Sequence, residues 1–405
     1  MRNKKNKKWT RRRHAILTLI AECLGWPYVR WKYGVEIERF KDSGKRPYLI
    51  LFNHQTAFDQ FFVGMSFPGA VYFLASEDIF SNGWVSALIR FLVAPISIKK
   101  QTTDLSAVMA CFQVVKEGGT IALAPEGNRT YSGKTAYINP AIVKMARKLK
   151  LPVALYRIEG GYGVQPRWSD VVRRGKMRAY VSRVIEPEEY AGYTNEELFD
   201  IIREGLSVNE GVESGKFYSN KRAEYLERAM YVCPECGLSE FESNGNHITC
   251  KRCQMKIEYG VDKKLRAVNG AFPFAYVTEW YDYQNQYVAM LNTLADVTKP
   301  LYRETSNIFK VIPNTRKELF YKEAEISLYG DRIVINEGAA DEMIFAFEKA
   351  SVLTVLGRNK LNVYYEDSIY QFKSGKRFNA LKYMNLFFRY KNIQSGDENA
   401  TFLGI

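Results

Sequence analysis

Residues 48–59 read Tyr-Leu-Ile-Leu-Phe-Asn-His-Gln-Thr-Ala-Phe-Asp. A short uncharged apolar run that stops at Asn and His has the pattern of a buried strand ending in a polar loop. A second run of this kind, Thr120 to Ala124, is followed by Pro125-Glu126-Gly127-Asn128-Arg129-Thr130. If both runs lie parallel in one sheet, both polar loops emerge at the same edge. The first loop offers a histidine with a carboxylate five positions on. The second offers a carboxylate and a guanidinium on a turn that Gly127 permits.

The other expected strands are 71–75, 94–98, 152–158 and 177–184, with Pro47 opening the first. Helical patterns separate them. One is opened by Thr103-Asp104 and stopped by Gly118-Gly119; another has Asn139 at its cap and Pro140 at its first position. Thr194-Asn195-Glu196-Glu197 reads as a capping box. Strands alternating with helices predict an α/β fold, a layered mixed sheet with flanking helices, over residues 41–210. Asn209 to Gly215 is polar and reads as a linker.

His54 and Asp59 cannot share a helical face, because five positions turn through roughly 500° and leave them about 140° apart. They can meet if His54 lies in the loop and Asp59 in the first helical turn, with Thr56 as the cap. Asp59 would then accept from one ring nitrogen and leave the other as a base, the orienting logic of a serine-protease triad without its serine. Gly64-Met65-Ser66-Phe67-Pro68 is no nucleophile elbow, and no cysteine lies near His54 in sequence. The nucleophile is therefore expected to be a substrate hydroxyl attacking a thioester directly. Arg129 suits bidentate contact with a phosphate, and Glu126 a glycerol hydroxyl. Gly127 to Thr135 is not a P-loop, since five residues separate its glycines where four are needed.

These residues resemble the 1-acyl-sn-glycerol-3-phosphate acyltransferase family. Its N-H-x4-D motif is matched by Asn53, His54 and Asp59, and its P-E-G-T-R-S motif by Pro125 to Thr130, with Asn128 in place of threonine. Leu151-Pro152-Val153-Ala154-Leu155 approaches its V-P-V-x-P-V strand. Where the family has I-x-I-D-R, with the arginine on the acceptor phosphate, this chain has Ile96-Ser97-Ile98-Lys99-Lys100, which keeps positive charge without the bidentate fork. The resemblance covers about residues 30–205. It implies His54 and Asp59 as the catalytic pair, and Glu126, Gly127, Arg129, Lys99 and Lys100 at the substrate. It also implies fatty acyl transfer from acyl-CoA or acyl-carrier protein to a lysophospholipid, with no catalytic cofactor. The alternative is a lipid-binding or membrane-tethering protein that keeps the fold without turnover.

The chain has 405 residues and a net charge of +14. Residues 1–13 carry eight Lys or Arg and no acid, the pattern of a tail that meets an anionic partner. Ala15 to Val29 follows, apolar apart from Glu22 and closing on Trp26-Pro27-Tyr28. It is shorter than the roughly 20 apolar residues a span needs. Residues 1–40 are thus expected to be a basic tail and an interfacial helix on the cytoplasmic face of a membrane, peripheral or monotopic, with membrane lipids as partners. A disordered tail before an ordinary core helix is the alternative. Phe61, Phe62 and Trp84 are candidates to line an acyl channel.

Cys233-Pro234-Glu235-Cys236 and Cys250-Lys251-Arg252-Cys253 form two C-x2-C knuckles, whose spacing fits one structural Zn2+ in a zinc ribbon over residues 228–262. Iron in a rubredoxin-like site is the alternative metal. Local basic residues raise nucleic-acid binding, but no aromatic and basic interleaving supports it. An aromatic helical connector spans 270–300. Residues 302–405 alternate as β-structure closed by a helix from Arg377 to about Lys391. That pattern resembles a PH- or GRAM-like domain, which implies docking to a membrane or a protein partner; a generic small β-barrel fits it as well.

Overall fold

The computed structural model describes residues 8–41, 46–81, 83–98, 105–212, 214–313, 315–397 and 399–404. Backbone contacts divide the chain into two units. The first comprises Met1–Pro166, Val172–Glu210 and Ser214–Phe217; the second comprises Arg167–Val171, Gly211–Glu213 and Tyr218–Ile405.

In chain order the first unit contains α1 (Arg12–Tyr33), β1 (Val35–Ile37), β2 (Leu49–Phe52), α2 (Asp59–Ser66), β3 (Val71–Ser76), α3 (Trp84–Leu92) and β4 (Ile96–Ile98). It continues through α4 (Leu105–Lys116), β5 (Thr120–Leu123), α5 (Ala141–Leu149), β6 (Val153–Glu159), α6 (Gly161–Val164), β7 (Met177–Ile185), α7 (Pro187–Ala191) and α8 (Asn195–Leu206). The strands form one sheet in the order β1-β7-β6-β2-β5-β3-β4. Strands β6, β2, β5, β3 and β4 run parallel, while β7 is antiparallel to β6. All four residues of β2 are buried, as expected of a strand covered by helices on both faces. One face packs Leu49, Leu51 and Ile121 against α4, α5 and α8; the other packs Ile50, Ala122 and Ala154 against α1 and α2. The mixed α/β layer expected from the sequence is therefore present. In its centre Leu51 pairs with Leu123, so the chain leaves β2 and β5 at the same edge.

Three local expectations change. The apolar segment expected to close at Trp26-Pro27-Tyr28 continues as helix through Pro27 to Tyr33. Proline removes one backbone donor, yet α1 packs Val29 and Tyr33 into the core beyond it. Residues 209–210 are not linker: Asn209 bridges to Lys134, and Glu210 is buried. The α5 cap falls at Pro140, with the Asn139 side chain still accepting from the Ala141 N–H at 2.9 Å. The Thr103-Asp104 start signal lies outside the described residues. The capping box at Thr194 and Glu197 is formed as expected.

The second unit begins with a two-stranded hairpin, β8 (Val232–Cys233) and β9 (Gly237–Leu238). A four-stranded antiparallel meander follows: β10 (Phe241–Asn244), β11 (His247–Cys250), β12 (Lys256–Tyr259) and β13 (Leu265–Ala267). Helix α9 (Val277–Met290) leads to β14 (Tyr302–Ile312), β15 (Arg316–Leu328), β16 (Arg332–Ile335), β17 (Met343–Ala346), β18 (Ala350–Leu356), β19 (Lys360–Tyr365) and β20 (Ser368–Lys373). These last seven form an antiparallel sheet in the order β17-β16-β15-β14-β20-β19-β18, closed by α10 (Ala380–Gln394). This helix starts three residues later than expected because Asn379 caps it, accepting from the Lys382 N–H. Its buried polar groups are paired. Lys382 meets Glu304 at 2.8 Å, Asn385 accepts from the Tyr231 hydroxyl at 2.7 Å, and Arg389 donates to the Leu291 carbonyl at 2.8 Å.

Candidate active site

His54 leaves the end of β2 in a loop, and Asp59 is the first residue of α2. His54 Nδ1 lies 2.7 Å from Asp59 Oδ2. The carboxylate is fully buried and the imidazole one-quarter exposed. Asp59 also accepts from the Gln55 N–H at 2.7 Å, from the Thr56 N–H at 2.9 Å and from the Thr56 hydroxyl at 2.6 Å. Such donors let a carboxylate remain buried without a cation. With Asp59 as acceptor, the imidazole proton sits on Nδ1 and the lone pair on Nε2.

The helix cap is Phe58, not Thr56. Thr56 instead donates its hydroxyl to Asp59 and accepts from the Phe58 N–H at 3.1 Å. The loop is thus wound around the aspartate, which explains why His54 and Asp59 meet without sharing a helical face.

Asn53 anchors this loop. Its side-chain amide donates to the Ile158 carbonyl at 2.8 Å, and its side-chain oxygen accepts from the Ile158 N–H at 2.7 Å. A side chain thereby extends the β2–β6 ladder by one step past the last strand residue.

The second loop joins from β5. Glu126 is nearly buried, and each carboxylate oxygen accepts a backbone N–H: Oε1 from His54 at 2.8 Å, Oε2 from Ala136 at 2.7 Å. Burial raises its pKa to about 8; the two N–H groups act the other way, and the charge of Asp59 adds to the rise. Gly127 turns the chain at φ 68°, a conformation that favours glycine. Arg129 is buried on the same loop, and the Thr130 N–H points to the His54 carbonyl at 3.4 Å. Lys99 and Lys100 lie outside the described residues, directly after β4. Of the candidate channel aromatics, Phe62 is core, packed against Tyr33, whereas Phe61 and Trp84 are exposed.

One contributor was not read from the sequence. Glu210 accepts from the Gly160 N–H at 2.8 Å, where the chain turns at φ 78° just after β6. A side chain at Gly160 would meet the Lys176 carbonyl oxygen at 2.2 Å. The Glu210 N–H in turn donates to the Gly133 carbonyl at 2.8 Å, which ties the second loop to the end of β6. No sequence signal singled it out, because the linker-like stretch 209–215 carries a second acid, Glu213.

In the second unit, the Cys233, Cys236, Cys250 and Cys253 sulfurs all lie within 4.8 Å of one another. Cys233 and Cys253 Sγ are 3.7 Å apart and none of the four forms a disulfide. Ligands about 2.3 Å from a tetrahedral zinc stand about 3.8 Å from each other, so this set fits such an ion. His247 lies on β11, outside the sulfur cluster.

The acyltransferase family model matches residues 34–158. A chloroplastic 1-acyl-sn-glycerol-3-phosphate acyltransferase of Brassica napus is 22% identical over 178 residues, covering 42% of this chain and 50% of that protein. One from Arabidopsis thaliana is also 22% identical, covering 42% and 48%. The chain spans about half the length of these curated relatives. Among solved structures, the 1-acyl-sn-glycerophosphate (LPA) acyltransferase PlsC from Thermotoga maritima matches with a TM-score of 0.40 and 20% identity, covering 48% of this chain and 78% of that one. Residues 34–158, the segment that carries both loops, thus match the acyltransferase family model, and the chain is similar there to 1-acyl-sn-glycerol-3-phosphate acyltransferases.

Proposed function

We propose that the first unit transfers a fatty acyl group from an acyl thioester, acyl-CoA or acyl-carrier protein, to the hydroxyl of a lysophosphatidic-acid-like acceptor. His54 Nε2 takes the hydroxyl proton as the acceptor oxygen forms its bond to the acyl carbon. The carbon–sulfur bond then breaks and the thiolate leaves, taking up the proton from the imidazolium. Asp59 holds the ring and stabilises its charged form. No acyl-enzyme forms. Arg129, with Lys99 and Lys100, anchors the acceptor phosphate. The observation that carries this reading is the 2.7 Å bond between His54 and a fully buried Asp59 in a loop within the family match.

A membrane setting follows from the acceptor. Helix α1 exposes Ile16, Leu19, Leu24 and Trp31, and α3 exposes Trp84, Leu88 and Phe91. None of the helices, among the described residues, is long and apolar enough to cross a bilayer. Peripheral binding on the cytoplasmic face is the arrangement we favour, with the tail and α1 in the headgroup layer. In the second unit the four cysteines would hold a structural Zn2+ in a ribbon, a closed set of ligands without catalytic work. The PH-like sheet would dock to membrane or a partner.

The test is acyl transfer from oleoyl-CoA to a panel of lysophospholipids, comparing the wild type with His54→Ala. Transfer by the wild type alone supports the enzyme. Equal transfer by both, or none by either while vesicle binding persists, supports a lipid-binding protein without turnover.

A further inference from the structure

We propose that Glu126 is a positioning residue that braces the two active-site loops and makes no contact with the acceptor. This rests on the acyl-transfer reading above and changes the part that Glu126 plays in it.

The geometry carries the inference. Both carboxylate oxygens are directed at main-chain donors of 2.7–2.8 Å length, and the residue is 8% exposed. The two bonds serve different loops. Through Oε2, Glu126 meets Ala136 ten residues on, closing the second loop on itself at its base. Arg129 lies inside this closed loop. Through Oε1, the same carboxylate holds the backbone N–H of His54, the residue whose ring is oriented by Asp59. One rigid side chain therefore fixes the distance between the base and the segment that carries the proposed anion anchor. A second backbone link between the loops, Thr130 N–H to the His54 carbonyl, is long at 3.4 Å. Two N–H donors face the two side-chain oxygens of Glu126, and a carboxamide in its place would set its own NH2 against one of them.

An acceptor ligand and a brace fail differently. Loss of a residue that touches the acceptor equally in ground and transition states raises KM. Loss of a brace displaces the base relative to its bound substrate, and a shift of about 1 Å costs about 100-fold in rate. With Glu126→Gln we expect kcat to fall about 100-fold while the acceptor KM stays within about threefold. Amide hydrogen exchange provides a readout that needs no turnover. In the wild type, the His54 and Ala136 amides should be protected like those of β2 and β5. In Glu126→Gln they should exchange at least about tenfold faster while the strand amides hold.

A raised acceptor KM with kcat preserved overturns the proposal, as do unprotected His54 and Ala136 amides in the wild type. If Glu126→Gln does not fold, the wild-type exchange pattern alone decides. Absence of transfer by the wild type removes the acyl-transfer reading, and the exchange data still judge the brace.

Discussion

At the residue scale, the site depends on polar side chains that substitute for backbone. Asn53 is fully buried and satisfies both the N–H and the carbonyl of Ile158. Asn53→Ala should cost about 2–4 kcal/mol, because two buried main-chain groups lose their partners at about 1–2 kcal/mol each. Asn53→Asp should also destabilise, since a carboxylate then faces the Ile158 carbonyl. A urea titration that reads the midpoint for each variant checks both. Asp59→Asn tests orientation more sharply. The amide can present its NH2 to Nδ1 and impose the wrong tautomer, so transfer should fall on the order of 10³- to 10⁴-fold. Steady-state rates beside far-UV circular dichroism will show whether activity drops while the fold is retained. The pair His54 and Asp59 was legible because a base and an acid at a spacing unsuited to one helical face imply a loop-to-helix junction. Thr56 was misplaced as the cap because sequence does not reveal which donors a buried aspartate will gather. Glu210 was not legible at all, since Gly160, its partner, is fifty positions away.

At the element scale, α1 is fastened to the first unit at its basic end. Thr10 N–H donates to Glu117 at 2.7 Å, and Trp9 Nε1 to the Ala94 carbonyl at 2.9 Å. Buried His14 places Nδ1 3.0 Å from the Tyr72 hydroxyl. Burial lowers the His14 pKa from its ordinary 6.5, and Arg13 and Arg11 lower it further. The unfolded chain therefore binds this proton first as pH falls. The contribution of His14 is complete above pH 6.5 and is lost as pH drops through its lower folded value. Melting temperature should fall below pH 6.5 more steeply in the wild type than in His14→Gln, and a pH series of melts will compare the slopes. In the second unit the two cysteine knuckles make a comparable prediction. Metal analysis should find one zinc per chain, and Cys250→Ser should abolish it and open β8 to β13 to proteolysis. The C-x2-C spacing made the cluster readable, because a turn closed by two sulfurs needs few contacts from elsewhere. The helix expected at Arg377 was displaced because Asn379 sets the start of α10.

At the scale of the whole molecule, the sequence pattern revealed an α/β layer followed by β-rich structure, and the chain indeed forms two units with those textures. Strand order was beyond it: β2 sits between β5 and β6, and only tertiary packing selects such neighbours. Charge, by contrast, is read directly from composition. Eight of the 58 Lys and Arg residues fall within the first thirteen, next to the exposed Ile16, Leu19, Leu24 and Trp31 of α1. A membrane surface can use both properties together, as the apolar side chains enter the headgroup layer while the basic ones meet anionic lipid. Each Lys or Arg near such a surface is worth about 1 kcal/mol, so changing Arg2, Lys4, Lys5, Lys7 and Lys8 to Gln should weaken binding to anionic vesicles at least about 100-fold. Trp31→Glu should weaken binding to neutral and anionic vesicles alike, because it removes apolar insertion. Sedimentation with phosphatidylcholine vesicles, with and without phosphatidylserine, at low and high salt, separates the two terms. Binding that ignores both salt and the tail charges would remove the electrostatic half of this account, and binding unaffected by Trp31→Glu would remove the apolar half.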